Sequence, residues 1–326
     1  MKATREAYGE ELAKLGKKNK NIVVLDADLA GATMTKHFKK EYPKRFFDMG
    51  IAEQDMMGTA AGLAISGKVP FASTFAIFAC GRAYEQVRNA IAYPKLNVKV
   101  VGTHAGLTVG EDGASHQAIE DISLMRTMPN MVVLSPCDEE ETKWAVDFAS
   151  KYEGPVYLRL TRPKVENIYG ENAEIIVNGF DEKETTKIQK RNLKPKFEFG
   201  KAVVHGSGKN ATIIATGVEV QEALKAREEL LKEGINVRVL DIHTIKPIDE
   251  EAIIKCAKET NKIITIEDHS IIGGLGSAVC EVLSENYPVK VTRMGVKDKF
   301  GGSGKWHELL ENEGLVAEDI VKMVKE

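Results

Sequence analysis

Three features of the sequence predict an α/β protein made of parallel sheets in two units of unequal size. Short apolar runs alternate with segments of helical period along most of the 326 residues. The runs are apolar throughout rather than at every second residue, which is the pattern of strands covered on both faces. A charge-rich stretch without periodicity then separates a longer first series from a shorter second one.

In the first series the strand-like runs are NIVVLDAD, RFFDM, VPFASTF, NVKVVGTH, NMVVLSP and PVYLRL. Helical periodicity places helices at Arg5 to Leu15, Glu53 to Ile65, Gly81 to Ala92, His116 to Thr127 and Glu139 to Ala149. The first of these lies in MKATREAYGEELAKLGKKNK, a charged amphipathic segment rather than a signal sequence. No apolar run approaches the roughly 18 residues of a membrane span. Periodicity fails from Arg162 to about Phe199, where DEKETTKIQKRNLKPK has the composition of a surface linker. ATIIATG, INVRVLDI, KIITIED and VKVTRMG follow as strands, with helices near Val218 to Lys232, Asp249 to Lys258 and Leu275 to Ser284. The expected boundaries are a first domain over 1–165, a linker over 166–198 and a second domain over 199–326.

Forty-five basic against 48 acidic residues leave a net charge of −3, which argues against nucleic acid or an anionic membrane as partner and favours small molecules. Cys80, Cys137, Cys256 and Cys280 form no CxxC pair and read as buried thiols of a cytoplasmic protein.

The chemistry centres on FFDMGIAEQDMMGTAAGL, residues 46–63: a short buried strand, a turn at Gly50, and a helix whose apolar face is Met56, Met57, Ala60, Ala61 and Ala64. Glu53 then sits on the first helical turn just past a strand's carboxyl end, where open parallel sheets bind ligands. Phe75 and Phe78 follow the strand VPFAST at an equivalent place. An apolar wall there would raise the acid's pKa by desolvation and leave a hydrogen-bond-donating Glu53 near pH 7.

THAGLTVGEDGASHQ, residues 103–117, is a polar, glycine-rich loop carrying His104, Asp112 and His116. Two histidines and an acid on the same sheet edge as Glu53 suggest a polar substrate channel with acid/base capacity near neutral pH. Arg5 opens the first helix and Arg162 closes the last strand of the first unit. With His104 they could hold a phosphate, because arginine offers forked donors. No Walker or GxGxxG loop is present, and GGLGSA at 273–278 is only a fragment of one.

These segments resemble the C-terminal half of the thiamine diphosphate enzymes of the transketolase type. The likeness runs over nearly the whole chain, through LDADLA, FFDMGIAEQ, STFAIF, THAGLTVGEDGASHQ, MPNMVVLSPCD and LRLTRP, then IATGVEVQEAL, VLDIHTIKPID and FGGSGK. It implies a pyrimidine-binding parallel-sheet domain followed by a smaller transketolase C-terminal-type α/β domain. It also implies that Glu53 bonds the pyrimidine nitrogen and so activates the cofactor's thiazolium carbon. By the same resemblance Phe75 and Phe78 pack around the pyrimidine and Asp28 lies near the cofactor. Arg5, His104 and Arg162 grip the sugar phosphate, Asp112 reads the hydroxyl beside the reacting carbonyl, and His116 faces the cofactor amino group.

Two positions depart from the family. Gly81 stands where a third aromatic is usual, and Ala32 where a serine often contacts phosphate, a hydroxyl Thr33 could supply. The GDG...N motif that binds diphosphate and Mg2+ in full-length members is absent. The chain thus resembles the C-terminal subunit of a split transketolase, with an N-terminal partner subunit carrying the diphosphate-binding domain and an expected dimer of heterodimers. The corresponding part of 1-deoxyxylulose-5-phosphate synthase and the beta subunit of a 2-oxo acid dehydrogenase are alternatives, as is a non-catalytic partner subunit. The acid and histidine of GEDGASHQ suit a polyhydroxylated sugar phosphate and favour the transketolase reading.

Overall fold

The computed structural model describes residues 1–170 and 196–326, so most of the expected linker, with all of DEKETTKIQKRNLKPK except its last lysine, lies outside the described residues. In the first unit the apolar runs become a sheet because Val, Ile and Phe fill both of its faces. Its order is Thr244–Lys246, Val132–Leu134, Val156–Arg159, Lys99–Thr103, Val69–Phe75, Ile22–Asp26, Phe46–Asp48. All neighbours are parallel except Thr244–Lys246, which pairs antiparallel with Val132–Leu134. That strand comes from the second unit, so the two units share a sheet edge. They also share an apolar cluster that joins Met56 and Val87 to Ile214, Leu240 and Ile253.

The second sheet runs Val291–Val296, Ile263–Ser270, Thr212–Ala215, Arg238–Asp241, Val203–His205, parallel apart from the last pair. Its helices include Glu219–Lys232, Glu250–Thr260 and Leu275–Asn286. Asp249 caps the second of these by accepting the Ala252 amide, a bond whose loss typically costs about 1 kcal/mol.

Three local expectations are corrected. Phe46–Asp48 is an edge strand, so Phe47 and Asp48 are exposed and only Phe46 is buried. The helix expected from His116 begins at Asp121. Residues before it form a turn, and Asp121 is drawn inward by Arg159, whose Nε donates to it at 2.8 Å with both groups buried. The helix expected from Gly81 instead begins with a wide π-type turn at Phe78–Arg82, is interrupted at Ala83, and resumes as Tyr84–Gln86 and a second π-type turn at Val87–Ala92. Such turns recur beside functional sites.

Candidate active site

Gly50 takes φ +67°, and the chain reverses there into the helix Glu53–Ile65. Met56, Met57, Ala60 and Ala61 are buried beneath that helix, with Ala64 half-buried. Burying a methionine side chain contributes about 1.5–3 kcal/mol, so the helix is anchored and Glu53 is held at its first turn. Glu53 itself is 2% exposed. Phe75 ends the strand Val69–Phe75, His104 follows Lys99–Thr103, Asp28 follows Ile22–Asp26 and Arg162 follows Val156–Arg159. All project from the carboxyl ends of parallel strands, the ligand-binding edge of such sheets.

The rings converge there. Phe75 and Phe78 are nearly parallel, 9° apart with centroids at 5.9 Å. His104 stacks on Phe75 at 4.0 Å, and His116 meets Phe78 edge-on at 5.5 Å and Phe75 at 6.1 Å. His104 takes φ +58°, a left-handed conformation that is uncommon outside glycine and is held here by its surroundings. Its Nδ1 lies 3.0 Å from the Thr103 hydroxyl. Burial, followed by the positive fields of Arg5 and Arg162, lowers its pKa to about 3. His104 is therefore neutral near pH 7, and the titration expected of it there is not found; it can bond an anion only as a neutral donor.

Arg5 donates to the Ala32 carbonyl at 2.6 Å and to the Arg162 carbonyl at 3.4 Å. Arg162 donates to the Val109 carbonyl and, at 2.9 Å, to Glu111. Two guanidinium groups thus flank His104. The Thr33 hydroxyl is buried and committed to Asp26 Oδ2 at 2.6 Å, so it cannot replace the hydroxyl absent at Ala32. Asp28 and Asp112 are exposed, and no hydrogen bond or ion pair links either to the ring cluster among the described residues. Asp112 ends the turn Leu107–Asp112.

Three contributions were not foreseen. Arg82 Nη1 lies 3.0 Å from both Glu53 oxygens, so the apolar environment expected around this acid is in fact an ion pair. Its signal was the GRAYEQ segment beside Phe78. Asp268 reaches from the second unit to accept the Leu107 amide at 2.7 Å, the Thr108 amide at 3.2 Å and the Thr108 hydroxyl at 2.7 Å. FGGSGK closes over the same loop: the Gly302 carbonyl accepts from Gln117 at 2.9 Å, and Ser303 donates to the Glu111 carbonyl at 2.5 Å.

A stacked pair of aromatic rings, joined through Arg82 to a buried carboxylate, offers a flat, hydrogen-bonding heteroaromatic ring a stacking face and an anionic partner, with cationic groups nearby. This site, on paired α/β units, defines the class to which comparison with known proteins assigns the chain. The family model for the transketolase pyrimidine-binding domain matches residues 1–167, and that for the transketolase C-terminal domain matches 200–320. The chain belongs to the transketolase family, whose members are transferases.

It is 53% identical to a protein named as a transketolase C-terminal section from Methanocaldococcus jannaschii, covering all of this chain and 96% of the relative. It is 42% identical to the 6-deoxy-6-sulfo-D-fructose transketolase subunit SqwH of a Clostridium species, over 99% of this chain and 93% of the relative. Rat transketolase is 40% identical over 99% of this chain, which spans only 48% of that protein. Among solved structures, a split gene transketolase described as an inactive beta4 tetramer superposes with a TM-score of 0.87 at 49% identity, over 100% and 98% of the two chains. The architecture is thus that of the paired subunit in split transketolases. Among the described residues no helix is long and apolar enough to cross a membrane.

Proposed function

We propose that the chain is the C-terminal subunit of a split transketolase, transferring a two-carbon ketol unit from a ketose phosphate to an aldose phosphate in the non-oxidative pentose phosphate pathway of the cytoplasm. The observation that carries this reading is the buried Glu53 beside the parallel rings of Phe75 and Phe78. This pairing of an aromatic face with a carboxylate suits the aminopyrimidine of thiamine diphosphate, which when bound supplies a carbon nucleophile able to carry the ketol unit. Glu53 would bond the pyrimidine nitrogen and hold or release the proton there. Phe75 and Phe78 would fix the ring plane, and Asp28 lies on the same strand edge. His116, set edge-on to both rings, would face the cofactor amino group and the two-carbon unit. Arg5, Arg162 and neutral His104 would receive the substrate phosphate, and Asp112 would accept from the hydroxyl beside the reacting carbonyl.

The diphosphate and Mg2+ are assigned to an N-terminal partner subunit, with a dimer of heterodimers, a heterotetramer, as the working assembly. One domain scheme accompanies this: cofactor ring in residues 1–165, linker over 166–198, and the second unit from 199 closing the substrate loop. The relative named for a sulfo sugar recommends including that sugar in the assay, since a sulfonate suits the same arginine pair. The test mixes the chain with a candidate partner, Mg2+, thiamine diphosphate and a ketose/aldose pair. Turnover is expected only in the mixture. Equal turnover by the chain alone, or decarboxylation of pyruvate with ketose phosphates ignored, would overturn the proposal.

A further inference from the structure

Arg82 makes the two contacts that the proposed pyrimidine needs. Its Nη1 is equidistant, at 3.0 Å, from both oxygens of Glu53, and its guanidinium carbon stands 4.5 Å from the centroid of the Phe78 ring. Phe78 already stacks with Phe75, so the aromatic pair has a planar cation lying against it. The exposures are lopsided: the Arg82 side chain is 49% accessible, whereas that of Glu53 is 2%. Solvent therefore reaches Arg82 but scarcely reaches the acid. The arginine is carried on the wide turn Phe78–Arg82, and its carbonyl is held by the Gln54 side chain at 3.2 Å. The Arg82 backbone is thus tied to the residue next to Glu53 while the guanidinium lies at the surface.

We propose that Arg82 is a displaceable cap, a planar cation that occupies the Glu53 carboxylate and the Phe78 face in the unassembled chain and is exchanged for the cofactor's pyrimidine ring on assembly. The chemistry of the exchange is matched. A guanidinium is flat, donates N–H groups from its edge and stacks on aromatic faces. An aminopyrimidine is flat, stacks likewise and bonds the same carboxylate. The cap also solves a problem for the lone chain, because a buried carboxylate without a partner is strongly unfavourable. Leaving costs Arg82 little: its exposed end returns to water, where its charge is well solvated.

The inference rests on the thiamine reading only for what displaces the cap, and the experiment separates the two. In the lone full-length chain, carbodiimide coupling of an amine to carboxyl groups, followed by peptide mass spectrometry, reads the access to Glu53. Wild type should label slowly, Arg82→Ala at least about tenfold faster, and Arg82→Lys between them, with circular dichroism confirming that each variant is folded. Equal rates at Glu53 in wild type and both variants would overturn the cap. In the chain mixed with its partner and Mg2+, calorimetry compares thiamine diphosphate with inorganic pyrophosphate, which lacks the ring. Arg82→Ala should tighten thiamine diphosphate several-fold and leave pyrophosphate unchanged. Weaker thiamine diphosphate binding in Arg82→Ala would show that the arginine stays in the site and would overturn the exchange. Faster labelling together with no thiamine diphosphate binding in any mixture would support the cap while removing the cofactor reading.

Discussion

The second unit reaches the loop of the candidate site through Asp268, and removing that carboxylate gives the sharpest stability test. The fully buried carboxylate accepts the Leu107 and Thr108 amides and the Thr108 hydroxyl. In Asp268→Ala the hydroxyl keeps the Ala105 carbonyl, 3.2 Å away, but two buried amides lose their acceptor. Each unsatisfied group costs about 1–3 kcal/mol. Burial pushes the Asp268 carboxyl above the usual aspartate range, so removing it also relieves a desolvation cost, which favours the lower part of the resulting sum. A net loss of about 2–4 kcal/mol is expected, within the range for broken buried networks.

Gly106 supplies the internal control. It sits at φ +76°, and a Cβ there would collide with the Asp268 carboxylate. Gly106→Ala should therefore be severe in the native background and milder on top of Asp268→Ala, where only the backbone strain remains. Urea unfolding of the full chain, at unchanged m, measures all four corners of that cycle. A loss below about 1 kcal/mol for Asp268→Ala, or strictly additive losses in the double variant, would refute the clamp. The same substitution should raise KM for sugar phosphates in the assembled complex, because the clamped segment carries Asp112 and leads to His116.

Further outcomes follow from the same geometry. Glu53→Gln preserves shape but cannot hold a proton or pair with Arg82; it should slow deuterium exchange at the cofactor's thiazolium carbon by at least ~100-fold, the low end of acid/base contributions, and near-normal exchange would remove Glu53 from that role. Arg162→Ala should raise KM for phosphorylated sugars by roughly ten- to a hundredfold, the loss of one charge-assisted hydrogen bond, and far less for unphosphorylated analogues; equal effects would separate Arg162 from phosphate. His104, lowered to about 3 mainly by burial, binds its proton more readily in the unfolded chain. Its stabilisation is therefore complete above about pH 6.5 and is lost as pH falls towards 3. The stability advantage of wild type over His104→Asn should shrink below pH 6.5 by up to about tenfold in the folding equilibrium per pH unit; a constant gap between pH 7 and 5 would show that His104 is not held neutral.

What the sequence determined by itself is what short-range physics governs. Apolar runs such as IVVLD and VPFASTF form strands because both faces are buried, and DMMGTAAGL forms a helix because its small and apolar residues recur at helical spacing. The strand–turn–helix around Gly50 places Glu53 at the carboxyl edge of the sheet from local geometry alone. Periodicity does not say which strand ends a sheet, so only the tertiary structure exposes Phe47 and brings Thr244–Lys246 across to the first sheet. Nor does it disclose pairings between distant charges. Arg82 reaches Glu53 across 29 positions and Asp268 reaches Thr108 across 160, distances at which spacing along the chain carries no geometric information. His116 shows the two levels competing: its segment can be read as the start of a helix, yet the buried pairing of Asp121 with Arg159 accompanies a start five residues later. A buried charge must meet its partner or incur a large desolvation cost, and where that partner lies is a property of the whole fold.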